Sequence, residues 1–296
     1  MLLLYSIKLM NLHSGINSAV IKKGLYIVAT PIGNLGDMTY RAVEILRKSD
    51  LILCEDTRLS RKLLTTFNIN VKLLSNHKFN EKKNIDKIIE ILKSKKVISM
   101  ISDAGTPSIS DPGKILIESC IKNKIDIFPV PGASAVSAAI SICGFSDKFY
   151  FNGFISDKES ENKKNFSFLS SLNFSIIFFI SAKKINKIIK LIKKYFIDRD
   201  IIICKEMTKF YEEYFRSSVE NLEEFKNNLK GEITIIVSEK KNIKKDSRKL
   251  IESDKKKIKL LINKLTIKDI ISIFSEEKDV SKKEIYNYCL SLKNEN

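Results

Sequence analysis

An α/β fold of two α/β domains with a small helical tail is predicted by three features of this 296-residue chain. Short apolar runs alternate with helix-spaced stretches from residue 24 to 145, a second set of strands follows a polar break, and the last 57 residues turn basic and helical. At 44% hydrophobic the chain can bury a sizeable core, and its length favours two domains over one or three.

Gly24 to Ala29 reads as a buried strand, and Thr39 to Arg47 has helical spacing with Ala42, Val43, Ile45 and Leu46 on one side. Apolar runs at 51–54, 71–74, 97–101 and 125–130 are separated by helical stretches at 58–67, 81–93 and 113–123. Strands alternating with helices of this length imply a mainly parallel, wrapped sheet. Beyond the polar segment Ser156 to Asn165, strands are expected at 174–180, 200–204, about 209–216 and 232–238, with helices between them, in a second α/β or α+β domain. Lysine clusters at 240–245 and 255–259 then lead into amphipathic helices at about 255–265, 266–275 and 281–291. The resulting division is an extension at 1–22, α/β domains at 23–147 and 148–239, and a basic linker with helical tail at 240–296. No internal repeat is visible.

Five scattered cysteines, Cys54, Cys120, Cys143, Cys204 and Cys289, form no CxxC pair, so neither a zinc knuckle nor a redox motif is present and no metal is expected. A reducing, cytoplasmic compartment fits. No apolar run approaches membrane-spanning length, so no membrane partner is expected. The opening MLLLYSIKLM lacks a basic segment and a cleavage site, which makes residues 1–22 an extension rather than a signal peptide, with Met10 an alternative start. The formal charge of +17 suits a polyanionic partner. Lysine is abundant throughout, however, so charge alone leaves nucleic-acid binding one of two open readings.

Rare residues mark the chemistry. All five prolines, Pro31, Pro107, Pro112, Pro129 and Pro131, fall between residues 31 and 131, and four of the ten glycines fall there too, with Gly132 directly after. The loop Ala29-Thr-Pro-Ile-Gly-Asn-Leu-Gly-Asp37 joins a strand to a helix where parallel folds place ligands, but Gly33-x-x-Gly36 is not a dinucleotide fingerprint. A plain turn with Asp37 near a helix start is the simpler reading of that segment alone. Glu55-Asp-Thr-Arg58 follows a strand; Asp56 or Thr57 could cap the next helix, whereas Glu55 and Arg58 have no such structural reason. Ile101 to Gly113 packs two Gly, two Pro and two Asp into one loop, in which Gly105 permits close backbone approach and Pro107 fixes the turn. Pro129-Val-Pro-Gly-Ala-Ser-Ala135 runs into an Ala-rich helix suited to close packing, with Ser134 a candidate cap. His77, in Asn76-His-Lys-Phe-Asn-Glu81, reads either as a surface residue or as a base.

Taken together, ATPIGNLGDMTYRAVEIL, LCEDTR, NHKFNE, SDAGTPSISDPG and PVPGASA, in this order, resemble the ribosomal RNA small subunit methyltransferase I family of the tetrapyrrole methylase superfamily. The resemblance covers about residues 24–239 and extends weakly into the tail. It implies two α/β domains of the tetrapyrrole methylase type, S-adenosylmethionine in the cleft between them, a homodimer, and as partner 16S rRNA or the small ribosomal subunit. The implied activity is 2'-O-methylation of a decoding-centre cytidine. By position, Pro31 and Gly33 would line the cleft, Asp103, Ala104, Gly105, Thr106 and Pro107 would contact the cofactor, and Pro131, Gly132 and Ser134 would close another wall. Lys205, Glu206 and Lys209, with Gly231-Glu-Ile, look like segments that touch cofactor or RNA.

The chain departs from the family in two places. Where the family usually reads like FYESTHR, this chain has Phe178-Phe-Ile-Ser-Ala-Lys-Lys184, losing a Glu, a His and an Arg, and Phe79 stands where a second histidine is common. A PIGNLGD loop in place of GxGPGD favours an RNA substrate over a tetrapyrrole. Methylating a ribose hydroxyl calls for a base within hydrogen-bond reach, and the candidates are Glu55 and Asp56, then Glu206 and His77. Arg58, Lys205 and Lys209 would hold flanking phosphates, and the basic tail would recognise folded RNA. A tetrapyrrole methyltransferase and a noncatalytic RNA-binding factor are the alternatives.

Overall fold

The computed structural model describes residues 21–227, 229–241, 250–277 and 280–294. The expected extension at 1–22 and the lysine cluster at 240–245 lie largely outside them. The chain divides into two compact units, with the boundary after Glu239.

The first sheet contains β1 (Gly24–Val28), β2 (Leu51–Cys54), β3 (Leu73–Ser75), β4 (Val97–Met100) and β5 (Ile127–Val130) in the order β3-β2-β4-β1-β5. Every pairing is parallel, as the strand-helix alternation predicts. The helices between the strands are α1 (Tyr40–Arg47), α2 (Thr57–Thr66), α3 (Glu81–Lys93) and α4 (Lys114–Lys122). Strand periodicity splits the apolar residues between two faces. Tyr26, Val28, Ile52 and Cys54 pack with Ala42, Ile45, Leu46 and Leu64 of α1 and α2. Their neighbours Leu25, Leu51, Leu53 and Ile98 pack with Ile88, Leu92, Leu116 and Cys120 of α3 and α4.

α5 (Ala135–Cys143) follows β5 and ends at Gly144, which adopts the left-handed conformation at φ 74°. Its small residues bring it close to the second sheet, where Val136, Ala139 and Cys143 pack on Ile177, Ile202, Cys204 and Ile236. That sheet contains β6 (Phe149–Phe154), β7 (Ser175–Ser181), β8 (Asp200–Lys205), β9 (Glu213–Ser218) and β10 (Glu232–Val237), ordered β6-β7-β10-β8-β9. Only the β6–β7 pairing is parallel. Its outer face is covered by α6 (Glu159–Ser171) and α7 (Ile185–Tyr195) through Phe166, Leu169, Ile188, Ile189 and Ile192.

Buried Arg199, only 1% exposed, closes this half of the unit. Its Nη1 donates to the carbonyls of Phe174 (3.2 Å) and Ser238 (3.0 Å), and its Nη2 to those of Ser170 (2.9 Å) and Leu172 (2.6 Å).

Three expectations are corrected. The polar stretch 156–165 is not a break: residues 159–171 form α6, because Asn162, Phe166 and Leu169 recur on one buried side. β6 was absent from the predicted strands. The strand expected at about 209–216 starts only at Glu213, since Glu206 and Thr208 take left-handed backbone at φ 51° and 67° and fold the preceding segment into turns.

The second unit holds α8 (Glu252–Leu261), α9 (Ile267–Glu277) and α10 (Lys282–Asn294) around Ile258, Ile270, Phe274, Ile285 and Cys289. Thr266 caps α9: its Oγ1 accepts from the Asp269 amide at 3.2 Å while the Asp269 carboxylate accepts from the Thr266 hydroxyl at 2.6 Å.

Candidate active site

A cavity of about 530 Å³ opens between the carboxyl ends of the first sheet and the inner face of the second. Its first-sheet wall comes from Glu55, just past β2, from Asp103, Ala104, Gly105, Thr106, Ile109 and Asp111 past β4, and from Ser134 at the start of α5. Phe154, Phe179, Ser181, Lys184, Met207, Glu232 and Thr234 face them from the second. Ligands gather at the carboxyl ends of parallel strands because the loops there are free to vary while the sheet holds their roots.

The loop after β4 is set by backbone. Gly105 has φ 79°, and it exchanges amide-to-carbonyl hydrogen bonds with Thr30 at 2.9 and 3.0 Å. A Cβ there would meet Ile32 at 3.3 Å. Thr106 Oγ1 donates to the carbonyl of Ala133 at 3.2 Å, joining this loop to the one before α5. Gly113, at φ 129°, leaves room for Met100, whose terminal carbon would lie 2.5 Å from a Cβ. Ser134 occupies the cap position of α5, but its hydroxyl makes no capping bond, which leaves it in the cavity lining.

Charge divides sharply across the site. Glu55, Asp103, Asp111 and Glu232 line the cavity, against one lysine, Lys184, which is ion-paired to Asp157. In a chain of charge +17 this hollow is acidic. Burial, then the carboxylates of Asp111 and Asp103, push Glu55 up to about 7, against a hydrogen bond from the Asp103 amide. Burial also raises Asp111, with Asp103 adding to it and a Ser102 hydrogen bond opposing it.

Asp56 behaves oppositely. Its carboxylate accepts from the Arg58 amide (2.8 Å), from Arg58 Nε (3.2 Å) and from Arg58 Nη2 (2.8 Å), and these bonds hold it down at about 2. It caps α2 and anchors the exposed Arg58.

The remaining candidates fall outside the lining. Pro31, Gly33, Pro107, Pro131 and Gly132 shape the loops: a Cβ on Gly132 would stand 3.0 Å from that of Ala29, and one on Gly33 only 2.3 Å from Lys209 Cγ. His77 accepts the Phe79 amide at 3.2 Å through Nδ1 within its own turn. Lys205 pairs with Glu213 at 3.0 Å, and Lys209 bridges Glu206 and Glu232 at 2.9 Å each. Glu206 Oε1 also accepts the Glu232 amide at 2.8 Å. Asp111 was missed among the site residues; its place beside Glu55 depends on how the loop after β4 folds back. Among the described residues no group of His, Cys, Asp and Glu is arranged to hold a metal ion, and no helix is long and apolar enough to cross a membrane.

Residues 24–223, which hold the first sheet, all of the second but β10 and most of the cavity lining, match the family model described as Tetrapyrrole (Corrin/Porphyrin) Methylases, and the chain belongs to that family. The uroporphyrin-III-C-methyltransferase from Thermus thermophilus superposes with a TM-score of 0.52 at 14% identity, over 73% of this chain and 94% of that one, a likeness of fold alone. Within the family, the chain groups with ribosomal RNA small subunit methyltransferase I. The protein of that name from Mesomycoplasma conjunctivae is 44% identical over 76% of this chain and 95% of its own length. The one from Rickettsia prowazekii is 40% identical over 90% and 96%.

Proposed function

We propose that this chain methylates the ribose 2'-oxygen of a decoding-centre cytidine in 16S rRNA, with S-adenosylmethionine as methyl donor and Glu55 as general base. The observation that carries the reading is the acidic cavity with Glu55 poised near neutrality. Relatives that are 40–44% identical carry the name of a small-subunit ribosomal RNA methyltransferase, which supplies the substrate class.

The cavity fits the donor. A hollow of about 530 Å³ holds a ligand of this size, and the carboxylates of Glu55, Asp103 and Asp111, ion-paired to no lysine or arginine among the described residues, favour its sulfonium and ammonium charges while repelling phosphate. When bound, S-adenosylmethionine supplies a methyl group activated by its sulfonium. Asp103 and Asp111 would hold positive charge, and the backbone of Ala104, Gly105 and Thr106 would lie against the donor. Phe179, Ile180 and Met207 add an apolar side to that lining. Glu55 accepts the proton that the ribose hydroxyl loses as its oxygen gains the methyl, and a carboxylate titrating near 7 is matched to that task at neutral pH. Asp56, held at about 2 and bound to Arg58, is too weak a base to compete. The reaction would take place in the cytoplasm, on the small subunit, with the enzyme as a homodimer.

The test is transfer of label from S-adenosylmethionine to small subunits lacking the modification, with the labelled nucleotide mapped and its 2'-oxygen tested by resistance to alkaline cleavage. Label on that cytidine is the expected result. Donor binding without transfer to RNA would move the reading to a noncatalytic factor, and transfer to a tetrapyrrole would replace the substrate.

A further inference from the structure

Beside the cavity, the turn after β8 carries a feature that neither the fold nor the chemistry described so far requires. The Glu212 amide donates to the Lys209 carbonyl at 3.2 Å, which puts Phe210 and Tyr211 at the two central positions of a tight turn. Phe210 is 93% exposed and Tyr211 71%, and their rings meet edge to face with centroids 5.0 Å apart.

The turn is braced from below. Glu206 and Thr208 are held in left-handed backbone that costs non-glycine residues energy. Glu206 takes the Glu232 amide at 2.8 Å, Lys209 ties Glu206 to Glu232, and Glu212 takes the Thr208 amide at 2.8 Å and the Tyr214 hydroxyl. The methylenes of Lys209 occupy the space beside Gly33, fixing the turn to the loop after β1. Met207 and Glu232, on either side of this network, both line the cavity. Two aromatic residues are thus held out into water on a rigid support at the cavity's edge.

Rings presented this way bury little for folding, and an exposed apolar pair on a fixed support marks a contact surface. Flat, unpaired nucleobases stack on such rings whatever their sequence. The charges agree: exposed Lys183 and Lys230 adjoin Lys184 and Gly231 of the lining, while the acidic interior keeps phosphate at the rim. We propose that Phe210 and Tyr211 stack on an unpaired RNA base flanking the nucleotide that enters the cavity. This inference rests on the RNA reading above.

The chain contains no tryptophan, so Phe210→Trp installs a single tryptophan at the turn, to be excited selectively over the nine tyrosines. Its emission should be quenched on titration with an unstructured RNA oligonucleotide. In the double variant Phe210→Ala/Tyr211→Ala, KM for small subunits should rise roughly 10- to 100-fold, the range of one or two lost stacking contacts. Donor binding and kcat should hold within about threefold, and the salt dependence of RNA affinity should keep its slope, because no phosphate contact is removed. No quenching together with an unchanged KM would overturn the proposal. A double variant that loses self-association while keeping RNA affinity would also overturn it and assign the rings to a second copy of the chain. If the wild-type protein transfers no methyl to RNA, the functional reading fails first, and the tryptophan titration alone decides whether RNA stacks there.

Discussion

On the first-sheet side of the cavity, Glu55, Asp103 and Asp111 gather with no lysine or arginine ion-paired to any of them among the described residues; on the second-sheet side, Glu206 and Glu232 are both tied to Lys209. Burial acts on both groups. For Glu55 the neighbouring charges add to it and the carboxyl rises. For Glu206 the Glu232 amide and Lys209 outweigh burial and the carboxyl falls. The difference teaches where chemistry is kept: carboxylates with cationic partners brace a loop, and carboxylates denied them are left with protons to exchange.

The sharpest break of this contrast is Glu55→Gln, which should slow methyl transfer by roughly 10²- to 10⁴-fold, the usual share of a general base. Single-turnover transfer with donor binding measured alongside would read it, and a rate near wild type would hand the proton to another group.

Next in size is the pH response. Transfer should lose about tenfold per pH unit below about 7, where Glu55 is protonated, and level off above it. Stability should move the opposite way. Glu55 and Asp111 titrate higher in the folded chain than in the unfolded one, so the folded state holds protons that the unfolded state has released, and stability declines as pH climbs from about 4.5 to about 7. Glu55→Gln should therefore raise Tm by a few degrees at pH 8 and leave it unchanged near pH 4. A loss of Tm at pH 8 would mean that the carboxylate supports the fold.

The braced side is tested by Gly231→Ala. Gly231 has φ 92°, and a Cβ there would lie 2.3 Å from the Glu206 carboxyl carbon, so the substitution should cost about 2 kcal/mol or more in thermal unfolding. Gly144→Ala meets nothing within 4 Å and should cost only about 1 kcal/mol of backbone strain. Equal losses would remove the special packing argued for the turn.

Smallest is the salt effect of the lysines. Lys230→Ala should lower the slope of RNA affinity against salt by about one ion, and Lys205→Ala or Lys209→Ala by less, because Glu213, Glu206 and Glu232 already neutralise them.

The first sheet was legible because buried parallel strands read as short apolar runs between amphipathic helices, and α3 falls on the predicted residues 81–93. β6 was not. It lies at the sheet edge, most of it is exposed or half-buried, and its register shifts between Phe151 and Gly153, so no clean alternation marks Phe149 to Phe154. α6 hid for a related reason, its buried Phe166 and Leu169 being diluted by Lys, Asn and Ser. In the site, Glu55 and the loop after β4 stood out through rare residues at strand ends. Asp111 did not, because its effect on Glu55 comes from a neighbour 56 positions away in sequence, a proximity only the fold creates. Pairing was equally invisible: nothing in the sequence says that Lys209 is bound to two glutamates rather than free for phosphate.

Arg199 carries a consequence for how the chain reaches this state. The four carbonyls that receive its guanidinium come from the end of α6, from the segment leading into β7 and from the end of β10, pieces spread over almost 70 residues. Until all of them are in place, a cation is buried short of partners, which is more costly than leaving it in water. A half-assembled second sheet is thereby penalised, and its hydrogen-exchange protection should rise and fall as one cooperative block rather than strand by strand.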